Sequence, residues 1–355
     1  MHTTSDFIEK LGIRFPIIQA PMAGVSTPEL AAAVSNAGGL GSLGIGASTI
    51  DQARNMIEQT RRLTRQPFNV NVFCHAPAKR DSGREKAWLV YLAPLFSEAG
   101  LDTPDQLDEI YTSFLVDDEQ FEMLLELRPT VISFHFGIPS ADCIACLREA
   151  GIYTMATATN LYEATLIEQA GIDAIVAQGT EAGGHRGMFN PDITDERLST
   201  MVLVRLLAAK TTRPIIAAGG IMDGYAISSM LSLGAVAAQM GTAFVLCPES
   251  AANTAYRENL KGQRATQTRL TDVLSGRPAR GMVNRLVSFG EAEGSPFPAD
   301  YPLAYDAAKR LNGAASKLGN NEFAAQWAGQ GAPLARELPA SDLMRVLMAE
   351  TRIEE

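Results

Sequence analysis

The histidine with the clearest opportunity for chemistry is His185, in the run Gln178-Gly179-Thr180-Glu181-Ala182-Gly183-Gly184-His185-Arg186-Gly187. An imidazole titrates near neutrality and can give or take a proton there. Glycines on both sides let the backbone come close to a ligand that the ring contacts. Two further runs, Ala218-Gly219-Gly220-Ile221 and Gln239-Met240-Gly241-Thr242, pair glycines with exposed amides. Backbone N–H groups in such turns face phosphate or another anion, and a Cβ would block its approach. A single glycine turn needs no ligand to explain it, but two on consecutive strands are the signature of a phosphate site. His135, in Ser133-Phe134-His135-Phe136-Gly137, is open to two readings: a ligand contact, or a core histidine with its hydrogen bonds satisfied. Asn69 and Asn71 alternate and so share a strand face, where buried amides need partners.

The elements that position these residues repeat along the chain. Runs rich in β-branched and small apolar residues fall at Pro16–Ala20, Leu40–Ile45, Asn69–Phe73, Val131–Phe136, Tyr153–Thr157, Ala174–Gln178, Pro214–Ala218 and Val236–Met240. Near-continuous apolar runs suit strands buried on both faces. Helices with legible ends lie between them. Thr27 before Pro28, Asn160 and Asp223 are N-cap candidates, and Gly38, Gly151, Gly171 and Gly234 follow helices and precede strands. The pattern predicts a (β/α)8 TIM barrel over residues 1–250, with its active site at the C-terminal ends of the strands. Arg84–Leu127 is long enough to carry extra helices, a helical insertion over about 80–127. After the eighth strand the reading is a helical substrate or cap segment over 251–335 and a last helix, Ser341–Ile353, packing back on the barrel within 336–355.

Composition narrows the function. A net charge of −10 disfavours nucleic acid and anionic membranes as partners, so any anion must be met by local positive potential. The longest apolar run, near Gly234–Leu246, is too short to span a bilayer, and the first twelve residues carry no leader-like apolar stretch. Cys74, Cys143, Cys146 and Cys247 are too few and scattered for a disulfide framework. A cytoplasmic enzyme is the expectation. Two motifs lose their force in context. Gly39-Leu40-Gly41-Ser42-Leu43-Gly44 lies within a strand, whereas a dinucleotide fingerprint opens a helix. Cys143-Ile144-Ala145-Cys146 lies inside a helix with no second ligand pair, and no metal site is expected.

Taken together, Gln19-Ala20-Pro21-Met22-Ala23-Gly24, Asn69-Val70-Asn71, the Glu181–Gly187 loop, Ala217–Ile221 and Gln239–Thr242 resemble the nitronate monooxygenase (2-nitropropane dioxygenase) family, over nearly the whole chain. The Ala-Gly-Gly-His-Arg-Gly loop and Tyr301-Pro302-Leu303-Ala304-Tyr305-Asp306-Ala307-Ala308-Lys309 resemble its class I. The resemblance implies FMN, oxygen as co-substrate and oxidative denitrification of alkyl nitronates, propionate 3-nitronate above all. It implies cofactor contacts at Ala20, Met22, Asn71, Gln178, Gly183, Gly219, Gly220, Gln239, Met240, Gly241 and Thr242, and places His185 at the substrate, as base or as positioning group. His135, Tyr301, Tyr305 and Lys309 are the substrate-binding expectations. The last three are spaced i, i+4, i+8 on one helical face and would bring a cation to an anionic substrate. A homodimer is compatible with the sequence. The competing readings are an NAD(P)H:quinone or enoyl-thioester reductase on the same flavin barrel, a flavin-free phosphate-binding lyase or isomerase, and a flavin-binding protein without turnover.

Overall fold

The structure, a computed structural model, describes residues 2–351. Its centre is a parallel barrel of β1 (Ile17–Gln19), β2 (Gly41–Gly44), β3 (Phe68–Phe73), β4 (Val131–His135), β5 (Tyr153–Ala158), β6 (Ala174–Gln178), β7 (Ile215–Ala218) and β8 (Ala237–Met240). Each strand pairs with the next, β8 pairs with β1, and a parallel bridge at Ile18↔Leu40 closes the remaining seam. All eight expected runs are strands, within a residue or two of the anticipated ends.

Alternation along the strands divides the side chains into two sets. Outward residues such as Ile17, Leu43, Phe134, Ile175 and Ile215 pack under the helices. Inward residues Ile18, Val131, Met155, Val176 and Ile216 fill the barrel, and the helix Thr4–Leu11 plugs its base with Phe7 and Leu11. Burying side chains of this size contributes about 1.5–3 kcal/mol each, so the base is a sealed floor. The helix ends follow the sequence signals. Thr27, Asn160 and Asp223 accept from the amides of Leu30, Glu163 and Ala226 at 3.0, 2.9 and 2.8 Å. Gly38, Gly151, Gly171 and Gly234 take φ of 98°, 78°, 81° and 106°, the left-handed turn that ends a helix and starts a strand.

Seven helices of the outer ring follow their strands directly in space, from Pro28–Asn36 to Gly224–Ser232. The eighth is the C-terminal helix Ala340–Glu350, which packs against Pro28–Asn36 and Gly224–Ser232 and fills the gap between them. The expected end of this helix at Ile353 lies outside the described residues. Between β3 and β4, Ser82–Glu98 is the inserted helix and Asp118–Leu127 the ring helix. The inserted helix packs on Leu303–Lys317, and Trp88, Phe96, Leu311 and Phe323 form a second core with it.

One expectation is corrected. The segment after β8 is not helical throughout: β9 (Thr268–Thr271) and β10 (Ala279–Met282) form an antiparallel hairpin, and β10 also pairs with the two-residue strand Gly184–His185. The hairpin runs, Thr-Arg-Leu-Thr and Ala-Arg-Gly-Met, have almost no β-branched apolar residues, because their pairing is set by tertiary contact. Among the described residues no helix is long and apolar enough to cross a membrane.

Candidate active site

A cavity of about 800 Å³ opens at the C-terminal ends of the strands. Every strand contributes to its floor: Ala20, Gly44, Asn71, Ser133, Thr157, Gln178, Ala218 and Gln239 all line it. Asn71 donates to Ser133 O and Oγ at 3.0 and 2.9 Å. Asn69 does not reach the cavity. It lies one layer deeper, fully buried, donating to Ser42 Oγ at 3.1 Å.

The glycine turns at β7 and β8 lie side by side in the wall. Gly219 and Gly220 have φ of 133° and 69°. A Cβ on Gly219 would approach Thr200 Oγ1 to 2.6 Å, so packing alone requires glycine there. Gly241 differs: a Cβ would meet only Ala20 Cβ at 3.5 Å and Met22 Sδ at 3.7 Å, so the missing side chain leaves cavity space open. The short helix Thr242–Val245 that follows has no side-chain cap on its first amides. These residues fit a phosphate, with free N–H groups beside open space.

The His185 loop is held from several sides. Gln178 donates to His185 O at 2.9 Å and accepts from Gly187 N at 2.8 Å. Arg186, 1% exposed, points away from the cavity, pairs with Asp195 at 2.8 and 2.9 Å and donates to Gln178 O at 2.6 Å. His135 lines the cavity, but both its nitrogens are engaged: Nε2 donates to His185 O at 3.1 Å, which leaves Nδ1 to accept from Thr157 Oγ1 at 3.0 Å. In this arrangement His135 supports the loop rather than offering a free ring nitrogen to a ligand. His185 itself meets Ser275 Oγ through Nε2 at 2.9 Å. Its ring is enclosed by Phe136, Tyr301, Tyr305 and Trp327, with centroids 5.0–6.0 Å away. Burial, then His135, Arg277 and His75, lower its pKa to about 3, so the imidazole is neutral at physiological pH.

Tyr301, Tyr305 and Lys309 all face the cavity, although the helix starts at Leu303 and Tyr301 precedes it. Lys309 Nζ stands 4.9 Å from the Tyr111 ring and 5.3 Å from the Tyr305 ring. Burial lowers its pKa, with Asp306 opposing. Among the described residues no Asp or Glu lines the cavity, and Lys309 is its only formally charged lining residue. In a chain of net charge −10 this is a strongly selective arrangement. The sequence reading missed Tyr111, Trp327, His75, Ser275 and Arg277. His75 follows β3 directly, a strand-end position that could have flagged it; the others come from the insertion and from the segment after β8, and no local pattern marks them. Arg277 is 3% exposed, lies 4.2 Å over the Phe136 ring and, among the described residues, has no carboxylate partner. Phe136, between that cation and the His185 ring, adopts φ 75°, an outlier for a bulky residue that its packed neighbours hold in place.

The nitronate monooxygenase family model matches residues 4–350. The chain belongs to the nitronate monooxygenase family. A nitronate monooxygenase of Pseudomonas aeruginosa is 58% identical over 98% of this chain and 99% of its own length. One from Paraburkholderia phytofirmans is 56% identical over 96% and 93%. Among solved structures, a nitroalkane oxidase from Streptomyces ansochromogenes superposes with a TM-score of 0.88 at 41% identity, covering 95% of this chain and 96% of that one. Membership of this monooxygenase family and the barrel fold agree with the sequence reading, including the placement of the cavity at the strand ends.

Proposed function

We propose that this enzyme binds FMN and uses oxygen to denitrify small alkyl nitronates, propionate 3-nitronate among them, giving a carbonyl product and nitrite. The observation that carries the reading is the cavity's charge pattern. Glycine turns with free amides stand in one part of its wall, and Lys309 with the aromatic ring around His185 stands in another, with no carboxylate among the lining residues. Two anions, a cofactor phosphate and a nitronate, suit such a space.

Gly219, Gly220, Gly241 and Thr242 would hold the phosphate by backbone N–H groups. Ala20, Met22, Gly183 and Met240 would give close apolar contact, and Asn71, Gln178 and Gln239 the hydrogen-bonding groups for the ring system. Bound FMN supplies electron acceptance and the coupling to oxygen. The chain's residues do the rest. Lys309 draws the anion in, and Phe136, Tyr301, Tyr305 and Trp327 exclude water around it. A neutral His185 is suited to accept a proton rather than to supply positive charge. A base role toward neutral nitroalkanes beside the nitronate reaction rests on the ring's place in the cavity wall and on the likeness to a nitroalkane oxidase, and it works against the lowered basicity that burial gives the imidazole.

The test is the visible spectrum of the purified protein under anaerobic addition of ethyl nitronate. Bleaching of a yellow cofactor that acid releases as FMN is expected. FAD, or a cofactor that nitronate leaves oxidised, would overturn the proposal. Full bleaching by NADH or NADPH at turnover rates would favour the reductase reading instead.

A further inference from the structure

We propose that Ser275 is a positioning residue that fixes the proton of His185 on Nε2 and leaves Nδ1 as the basic nitrogen. The argument is proton counting. A serine hydroxyl carries one proton and accepts with its lone pairs. Ser275 Oγ lies 3.1 Å from the carbonyl oxygen of Arg277 and 2.9 Å from His185 Nε2. The carbonyl only accepts, so the hydroxyl proton goes to it. The contact with His185 is then satisfied only if Nε2–H donates. In the opposite tautomer the hydroxyl would turn to Nε2 and leave the buried Arg277 carbonyl without a donor. An unmade buried hydrogen bond of that kind biases the tautomer by roughly tenfold or more.

The geometry that presents Ser275 is built for precision. Ser275 is fully buried in the turn between β9 and β10. Its amide and that of Gly276 both donate to Asp272 O, at 3.2 and 2.7 Å. Gly276 has φ 84°, and a Cβ there would lie 2.3 Å from Ala299 O, so the turn is seated on the segment that leads into Tyr301. The same hairpin holds the histidine's backbone, through the pairing of Ala279 with His185 and the bond from Arg186 N to Pro278 O at 2.8 Å. Backbone and ring of His185 are thus fixed by one element. Nδ1 has no partner among the described residues, and His185 lines the cavity.

This deepens the proposed function and rests on its placing His185 at the substrate. With the tautomer fixed, Nδ1 takes the α-proton of a neutral nitroalkane: the C–H bond breaks, the N–H bond forms, and the electron pair moves onto the nitro group to give the nitronate and an imidazolium. A nitronate that arrives already deprotonated does not need this step.

The experiment is 15N NMR of the FMN holoenzyme with labelled histidine. The chain has four histidines, and the His185→Asn spectrum identifies the His185 signals. Wild type should show neutral His185 with hydrogen on Nε2. Ser275→Ala should lose that preference and lower kcat/KM for nitroethane by about 10- to 100-fold, the usual weight of a group that orients a functional imidazole, with a smaller loss for ethyl nitronate. Ser275→Thr, which keeps the hydroxyl, should restore both. Hydrogen on Nδ1 in wild type, or an imidazolium at neutral pH, overturns the proposal without reference to any variant. So does a Ser275→Ala protein with the wild-type tautomer. If wild type turns over neither substrate, the functional reading fails while the spectrum still decides the tautomer.

Discussion

Lowering the pH from about 7.5 to about 5.5 should cost the folded, cofactor-free chain about 4 kcal/mol, and the cause is three histidines that the fold keeps neutral. Burial is the largest cause in each case. It lowers His75 and His135 to about 4 and His185 to about 3, with Arg277 adding to the effect on all three. An unfolded chain protonates the same side chains near pH 6.5. Below that pH the unfolded state therefore binds protons that the native state does not, and stability falls with pH until the folded values are reached. Two units of pH cost each histidine about 1.4 kcal/mol, because at pH 5.5 nearly all of the unfolded population is charged and almost none of the native population is. Asp195, lowered by Arg186 against the cost of its own burial, loses its contribution only below the ordinary carboxylate range and stays out of this window. Asp272, which burial raises, opposes the trend toward the acid end. Urea unfolding of the FMN-free protein at the two pH values is the assay, because the phosphate of released FMN would itself take up protons in this window. His75 is fully buried, and burial outweighs an opposing hydrogen bond with the Tyr111 backbone, so His75→Phe should keep the packing against Phe136 and Tyr301 and shrink the loss by about a third. A loss below about 1 kcal/mol in wild type, or an unchanged loss in His75→Phe, would refute the reasoning.

Three further outcomes are expected. His185→Asn should retain FMN and its spectrum yet lose about 10²–10⁴-fold on nitroethane, with a smaller loss on ethyl nitronate, in steady-state assays of both substrates. Lys309→Met should raise KM for ethyl nitronate about fivefold, equivalent to about 1 kcal/mol from one part-exposed ion pair, and weaken the salt dependence of kcat/KM while leaving nitroethane nearly unaffected. Gly183→Ala would place a Cβ 2.6 Å from Gly329 N and should cost about 1–3 kcal/mol in urea unfolding; Gly184→Ala meets nothing within 4 Å and should cost only its left-handed backbone, about 1–2 kcal/mol.

The legible parts of this protein are those written in local pattern. Eight buried strands announce themselves as apolar runs, and Gly38, Gly151, Gly171 and Gly234 mark helix ends because a left-handed residue is a local requirement. The β7 and β8 turns and His185 were legible as cavity-lining residues for the same reason, whereas Tyr301 lines the cavity from ahead of the helix and not through the helical spacing that singled it out. The rest depends on contact between distant segments. Ser275 reaches His185 across ninety residues of sequence, and nothing in Asp272-Val273-Leu274-Ser275 signals it. Asn69 and Asn71 share a strand face, but only depth in the barrel separates a cavity residue from a core one. Arg186 sits beside His185 in sequence, yet its guanidinium is spent on Asp195 and the Gln178 carbonyl, which no local pattern signals.

The placement of Ala340–Glu350 between Pro28–Asn36 and Gly224–Ser232 makes the substrate-side segment an insertion inside the last βα unit. Strand eight and its helix are neighbours in the ring, yet the whole of 251–335 lies between them in sequence. Tyr301, Tyr305, Lys309 and Trp327 of the cavity wall are therefore carried on a segment whose two ends return to adjacent points of the barrel ring. That segment also touches the scaffold's glycine turns, through Gly329 N donating to Thr242 Oγ1 at 3.0 Å and Gln330 N donating to Glu181 O at 2.9 Å, so an exchange between relatives would have to keep these contacts as well as the hairpin's pairing with Gly184–His185. The same arrangement couples folding to function, because the ring lacks one of its eight helices until the chain has passed through the cap. Such non-local closure slows folding, and it means that a protein with a closed barrel already has its cap in place.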